Sequence, residues 1–85
     1  MVKRTKSDIE LQILRLLLYN DGMKFTNIMF KANTTHSFLK NRYLPELMGQ
    51  GYVKRKTMQP IYYITRKGID FYINNEVARR LLQLK

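Results

Sequence analysis

Apolar residues recur along this chain with two periods, and the change between them divides it into elements. Ile9, Ile13, Leu14, Leu17 and Leu18 fall three or four residues apart, which predicts an amphipathic helix over 8–20. Leu11 and Leu16 lie off that face and widen its buried stripe. Ser7 followed by Glu10 fits a capping box, Asp8 and Glu10 suit the positive end of the helix dipole, and Asn20-Asp21-Gly22 is a stop signal. Met23-Lys24-Phe25 reads as a short bridge or one-bridge strand. Thr26 is the expected N-cap of a short helix over 27–32, with Ile28 and Met29 inward. After a turn at Ala32-Asn33-Thr34, Thr34 or Thr35 caps a third helix running to about Gln50, where Gly49 and Gly51 mark its end. The period then drops to two. Tyr52–Lys56 and Ile61–Thr65 flank Thr57-Met58-Gln59-Pro60 and predict a β-hairpin, with Val53, Tyr62 and Ile64 inward and Lys54, Lys56 and Tyr63 on the more exposed face. Thr65 caps a final helix from 66 to about 84. That helix carries one apolar stripe of Ile69, Tyr72, Ile73, Val77, Leu81 and Leu84, and a second of Phe71, Ala78 and Leu82.

The third helix contains a conflict of phase. Leu44, Leu47 and Met48 define a core face whose upstream continuation is Lys40, Asn41 and Ser37, whereas the apolar residues there are Phe38, Leu39 and Tyr43. Pro45 cannot donate to the carbonyl of Asn41, and its ring crowds that position. The spacing of five from Leu39 to Leu44 suits a π-bulge. A kink or bulge near 40–45 follows; the competing arrangement is a regular helix with Lys40 snorkelling from the core edge.

Composition narrows the function. Eighty-five residues make one small domain, and an apolar share of 45% is enough for a packed core. With no cysteine, one histidine and six acids, neither a thiolate metal site nor an acid–base catalyst is expected, and no cofactor or small-molecule substrate is evident. No apolar run approaches a membrane span and no signal-peptide layout follows Met1, so an intracellular protein is expected. Sixteen bases leave a net charge of +10, which points to a polyanionic partner. The charge is uneven: Lys54, Arg55, Lys56, Arg66 and Lys67 supply half of the excess within 51–68, a stretch without an acid.

The order helix, short helix, turn, helix, hairpin, helix resembles a winged helix-turn-helix, an α+β, mainly α fold. The resemblance runs over about 7–72 and is carried by three stretches. These are Phe25-Thr26-Asn27-Ile28-Met29, the run from Tyr43 to Val53 (Leu-x-x-Leu-x-x-x-Gly-Tyr-Val), and Ile61 to Gly68 (Tyr-x-Ile-Thr-x-x-Gly). It is similar to archaeal winged-helix regulators, including small basic chromatin-associated dimers of thermoacidophilic archaea and related proteins of archaeal viruses. The chain departs from the pattern at the bulge near 40–45, which bears on which third-helix side chains face outward. The resemblance implies double-stranded DNA as partner, the third helix in a major groove, the wing along the backbone or minor groove, and dimerisation through the C-terminal helix.

On this reading 1–6 is a loose basic arm, 7–68 the winged domain, and 69–85 a helix for core packing and dimerisation. The expected DNA contacts are Thr34, Thr35, His36, Ser37, Lys40, Asn41 and Arg42 on the third helix, Lys54, Arg55, Lys56 and Gln59 on the wing, and Lys3 and Arg4 on the arm. Each has a plainer reading: caps, a solvated face, lysines guarding an edge strand, or a solubilising tail. The expected dimer seam is Ile73, Val77, Ala78, Leu81, Leu82 and Leu84; otherwise the helix folds back on its own domain. The tyrosines are expected mostly in the core or at its boundary, with Tyr63 the exposed candidate, too few for an RNA-stacking sheet. The function expected is a homodimeric, sequence-preferring transcriptional regulator. Its alternatives are a chromatin protein of low specificity and a winged-helix protein–protein module.

Overall fold

The computed structural model describes residues 4–56 and 58–83, with only the backbone of Arg79, Leu82 and Gln83. Lys3, Thr57 and Leu84 lie outside the described residues. The elements are α1 (Lys6–Tyr19), β1 (Met23–Lys24), α2 (Phe25–Lys31), α3 (His36–Phe38), a π-helical turn (Leu39–Tyr43), α4 (Leu44–Gly49), β2 (Val53–Arg55), β3 (Ile61–Ile64) and α5 (Arg66–Gln83). α3, the π turn and α4 run on without a break and form the third helix. The three strands make one antiparallel sheet in the order β1-β3-β2, in the register Met23↔Tyr62, Lys24↔Ile61, Val53↔Ile64, Lys54↔Tyr63 and Arg55↔Tyr62.

Two helix starts differ from the sequence expectation. α1 begins two residues earlier than Ser7 and Glu10 suggested. Thr5 is the N-cap, its hydroxyl accepting from the Asp8 amide at 3.2 Å while the Asp8 carboxylate accepts from the Thr5 amide at 3.0 Å. This box satisfies two backbone donors reciprocally, so Lys6 belongs to the helix rather than to an arm. α2 starts at Phe25 without a side-chain cap, because pairing of Met23–Lys24 with β3 delivers the chain straight into the helix. Thr26 is therefore inside the first turn and is not the N-cap.

The core is built from Ile13, Leu14 and Leu17 of α1, Ile28 and Ala32, Leu39, Tyr43, Leu44 and Leu47 of the third helix, with Val53 and Tyr72 closing it. Leu11 is buried with them. The phase conflict is resolved by the π turn, in which the Leu44 amide donates to the Leu39 carbonyl, five residues back. The inserted residue lets Leu39 and Leu44 both point inward. Each such side chain contributes about 1.5–3 kcal/mol on burial, more than the roughly 1 kcal/mol of a lost helical hydrogen bond. Pro45 lowers the cost further, since its nitrogen has no proton to donate. Met48, expected inward, is 40% exposed because α4 ends one residue later and nothing covers that side.

The wing joins α5 through Thr65. Its amide donates to the Tyr52 carbonyl at 2.9 Å, its hydroxyl donates to the Gly51 carbonyl at 2.6 Å, and the same oxygen accepts from the Gly68 amide at 3.0 Å. A side chain at Gly68 has no room: a Cβ there would stand 2.2 Å from the Tyr52 carbonyl oxygen. The Thr-x-x-Gly sequence is thus a joint in which one residue caps the helix and the other lets it approach the strand exit. Phe71 stacks on Tyr52 with ring centroids 4.3 Å apart, and Tyr72 packs into the core. Beyond them α5 leaves the core. Ile73, Val77 and Leu81 are 48%, 51% and 60% exposed, and Ala78 is exposed with them. Tyr19, expected at the core or its boundary, is also exposed, its ring flanked by Arg15. No described helix is long and apolar enough to cross a membrane.

Candidate nucleic-acid interface

Between α2 and the third helix the chain turns through Asn33, whose φ of 52° lies in the left-handed region that asparagine tolerates. Thr35 then caps the third helix, its hydroxyl accepting from the Phe38 amide at 3.2 Å. Thr34 is half-buried, and its amide donates to the Met29 carbonyl at 3.1 Å. Both threonines therefore serve the turn. The residues that follow form an exposed ridge of His36, Ser37, Lys40 and Asn41. The His36 ring is set against that of Phe25 at 5.0 Å, and the Asn41 amide donates to the Ser37 hydroxyl at 3.5 Å.

The wing faces this ridge. Phe25, His36, Lys40, Arg55, Pro60 and Tyr62 line a shallow cleft between them. Arg55 reaches it because β2 places Arg55 opposite Tyr62, and its guanidinium sits 6.0 Å from that ring. Lys40 and Arg55 join no ion pair among the described residues. Their charges are open to an incoming anion. Phe25 and Pro60 had no part in the sequence-derived site; pairing β1 with β3 is what brings the start of α2 beside the wing. Gln59 is exposed near the wing tip, and its carbonyl accepts from the Ile61 amide at 2.7 Å. Lys54 and Lys56 are exposed, but alternation places Lys54 on the sheet face away from the cleft.

Arg42 is exposed and joins no ion pair among the described residues; Glu10 and Glu46 lie within reach of its charge. These carboxylates belong to a cluster in which Lys6 forms an ion pair with Glu46. Burial, reinforced by a hydrogen bond with Glu46 and its charge, raises the Glu10 pKa above 4.5. The hydrogen bond from Lys6 lowers that of Glu46. Arg4 is not the free basic arm that was expected. Its guanidinium donates to the Gln12 side chain at 2.8 Å, to the Ala32 carbonyl at 2.9 Å and to the Asn33 carbonyl at 2.8 Å. A cation there satisfies carbonyls left open at the end of α2 and ties α1 to the turn before the third helix.

A family model described as winged helix-turn-helix matches residues 3–83. A search of curated proteins finds no match.

Proposed function

From the premise that this chain belongs to the winged helix-turn-helix family, we propose that it is a regulator that binds double-stranded DNA with sequence preference, as a homodimer. The observation that carries the reading is the cleft in which His36 and Lys40 of the third helix face Arg55 of the wing, with no acid along it. A cleft lined by open cations on two elements suits two rows of phosphates beside a groove. The third helix supplies base contacts through Ser37 and Asn41, the latter able to pair two hydrogen bonds with an adenine edge. Lys40 and Arg55 displace counterions and supply affinity that is independent of sequence. Regulation then follows from occupying a promoter. No step involves catalysis.

The homodimer rests on α5. Ile73, Val77 and Leu81 recur every fourth residue on a helix face that its own domain leaves exposed. Covering it with the same face of a second copy gives a two-fold dimer, matched to half-sites about 34 Å apart.

Selection of bound duplexes from a random pool at two salt concentrations tests this reading. The expected result is a symmetric consensus, with affinity falling as salt rises by about 0.9 log units per log unit for each phosphate neutralised. Lys40→Ala with Arg55→Ala shallows that slope, whereas Asn41→Ala changes the consensus. Equal affinity for all duplexes would replace the regulator by a chromatin protein of low specificity. Affinity that does not respond to salt would remove DNA from the account.

A further inference from the structure

We infer that the outer face of the three-stranded sheet is a second DNA-binding surface, which holds a second duplex by its phosphates while the cleft holds the first. This rests on the reading of the cleft as a DNA interface. The register puts Lys24 opposite Ile61 and Lys54 opposite Tyr63, and all four alternate with the core-facing Met23, Tyr62, Val53 and Ile64. The outer face therefore runs across all three strands, from Lys24 through Ile61 and Tyr63 to Lys54. Gly22 makes it continuous: a Cβ there would stand 2.6 Å from the Tyr63 ring and 2.9 Å from Ile61, so the ring packs against bare backbone. On one side Lys24 and Lys31 share a depression with Gly22 and Ile61; on the other, Lys54 and Lys56 share one with Arg55 and Tyr63.

Lys24, Lys54 and Lys56 thus share one face, and Lys31 of α2 stands beside Lys24 at its edge. None joins an ion pair among the described residues, and Lys56 lies over the Tyr63 ring at 5.6 Å. Like charges held together without partners favour a polyanion. Ammonium groups are point charges that hold phosphates and do not read bases, in contrast to the Asn41 and Arg55 of the cleft. One duplex cannot satisfy both surfaces. The register puts Lys24, Ile61, Tyr63 and Lys54 on the face opposite Tyr62 of the cleft, with Arg55 at the edge that the two surfaces share, and a minor groove about 6 Å wide cannot admit three strands spaced about 4.8 Å apart with their side chains. A single strand is disfavoured as occupant, because the face offers one ring already covered by Lys56 and Gly22 where stacking needs several.

Sedimentation velocity of the full chain with a duplex only long enough for one site decides the matter by stoichiometry per protomer. A dimer with two clefts would also bridge duplexes, so the count, not bridging, is read. The expected result is two duplexes per protomer for the native chain and one for Lys24→Glu/Lys54→Glu/Lys56→Glu. The milder Lys→Gln triple, checked for an unchanged circular dichroism spectrum, should show the same loss. One duplex per protomer in the native chain overturns the inference and leaves the cleft reading intact. No duplex bound to native chain or variants overturns the cleft reading itself. Tighter binding of a single strand of equal length, lost in the lysine variants, overturns the assignment of a duplex to this face.

Discussion

Gly68 gives the sharpest test of how the wing is joined to the body. By helix propensity alone, Gly68→Ala in the first turn of α5 should stabilise the protein by up to about 1 kcal/mol. The structure reverses that sign. The added Cβ would stand 2.2 Å from the Tyr52 carbonyl oxygen and 2.8 Å from Ile64 Cγ1. The carbonyl cannot swing away without losing the bond it accepts from the Thr65 amide at 2.9 Å. Moving α5 outward instead breaks the Thr65 hydroxyl bonds to Gly51 and Gly68. Overpacking of this kind costs about 1–3 kcal/mol, and each bond lost about 1 kcal/mol more. After the propensity gain, a net loss of about 2–3 kcal/mol remains, which lowers Tm by roughly 10–20 °C for a domain of this size. Gly49→Ala is the control, since nothing lies within 4 Å of a Cβ built there on an exposed helical glycine. It should raise Tm by roughly 2–8 °C. Thermal unfolding followed by circular dichroism reads both. A Gly68→Ala protein as stable as the native chain, or two variants shifting in the same direction, would refute the joint.

Three further outcomes follow. Glu10 has a folded pKa above its ordinary 4.5, so its contribution is favourable below that value and is lost as pH rises through the folded pKa; Glu10→Gln should raise Tm at pH 7 and leave it unchanged near pH 3.5, and an equal effect at both would exclude the carboxyl as the cause. Arg4→Ala should cost about 1 kcal/mol and speed hydrogen exchange at the Ala32 and Thr34 amides; unaltered exchange would mean that the guanidinium does not hold the turn. Leu81→Glu, at an exposed position, should leave the circular dichroism spectrum intact and convert a sedimenting dimer to a monomer, whereas a persistent dimer would remove α5 as the seam.

Much of the fold was legible because strong periodicity marks buried faces. The stripe through Ile13, Leu14 and Leu17 and the alternation through Val53 and Ile64 both lie in the observed core. Caps were less legible, because Thr5-x-x-Asp8 and Ser7-x-x-Glu10 overlap in sequence, and it is Thr5 that caps α1. Site residues were least legible. Basic residues look alike in sequence, yet Arg4 caps a helix end, Arg55 enters the cleft and Lys54 turns away from it. What separates them is strand register and long-range pairing, and neither is written locally. The short strand at Met23–Lys24 adds Lys24 to a sheet face and brings Phe25 beside the wing.

The π turn connects this placement to the distribution of charge. One inserted residue shifts the helix face, so the ridge formed by His36, Ser37, Lys40 and Asn41 ends within the turn. Past it, Glu46 pairs with Lys6 beside Glu10 of α1, and Leu44 and Leu47 enter the core. A helix that presents only about one turn and a half outward has room for few phosphate contacts of its own. The remainder of the charge has to come from a neighbouring element, and the acid-free stretch from 51 to 68 is the one that the sheet sets beside it. On the proposed DNA-binding reading, the inserted residue that reconciles Leu39 with Leu44 fits a chain in which half of the excess positive charge lies in the wing and its exit.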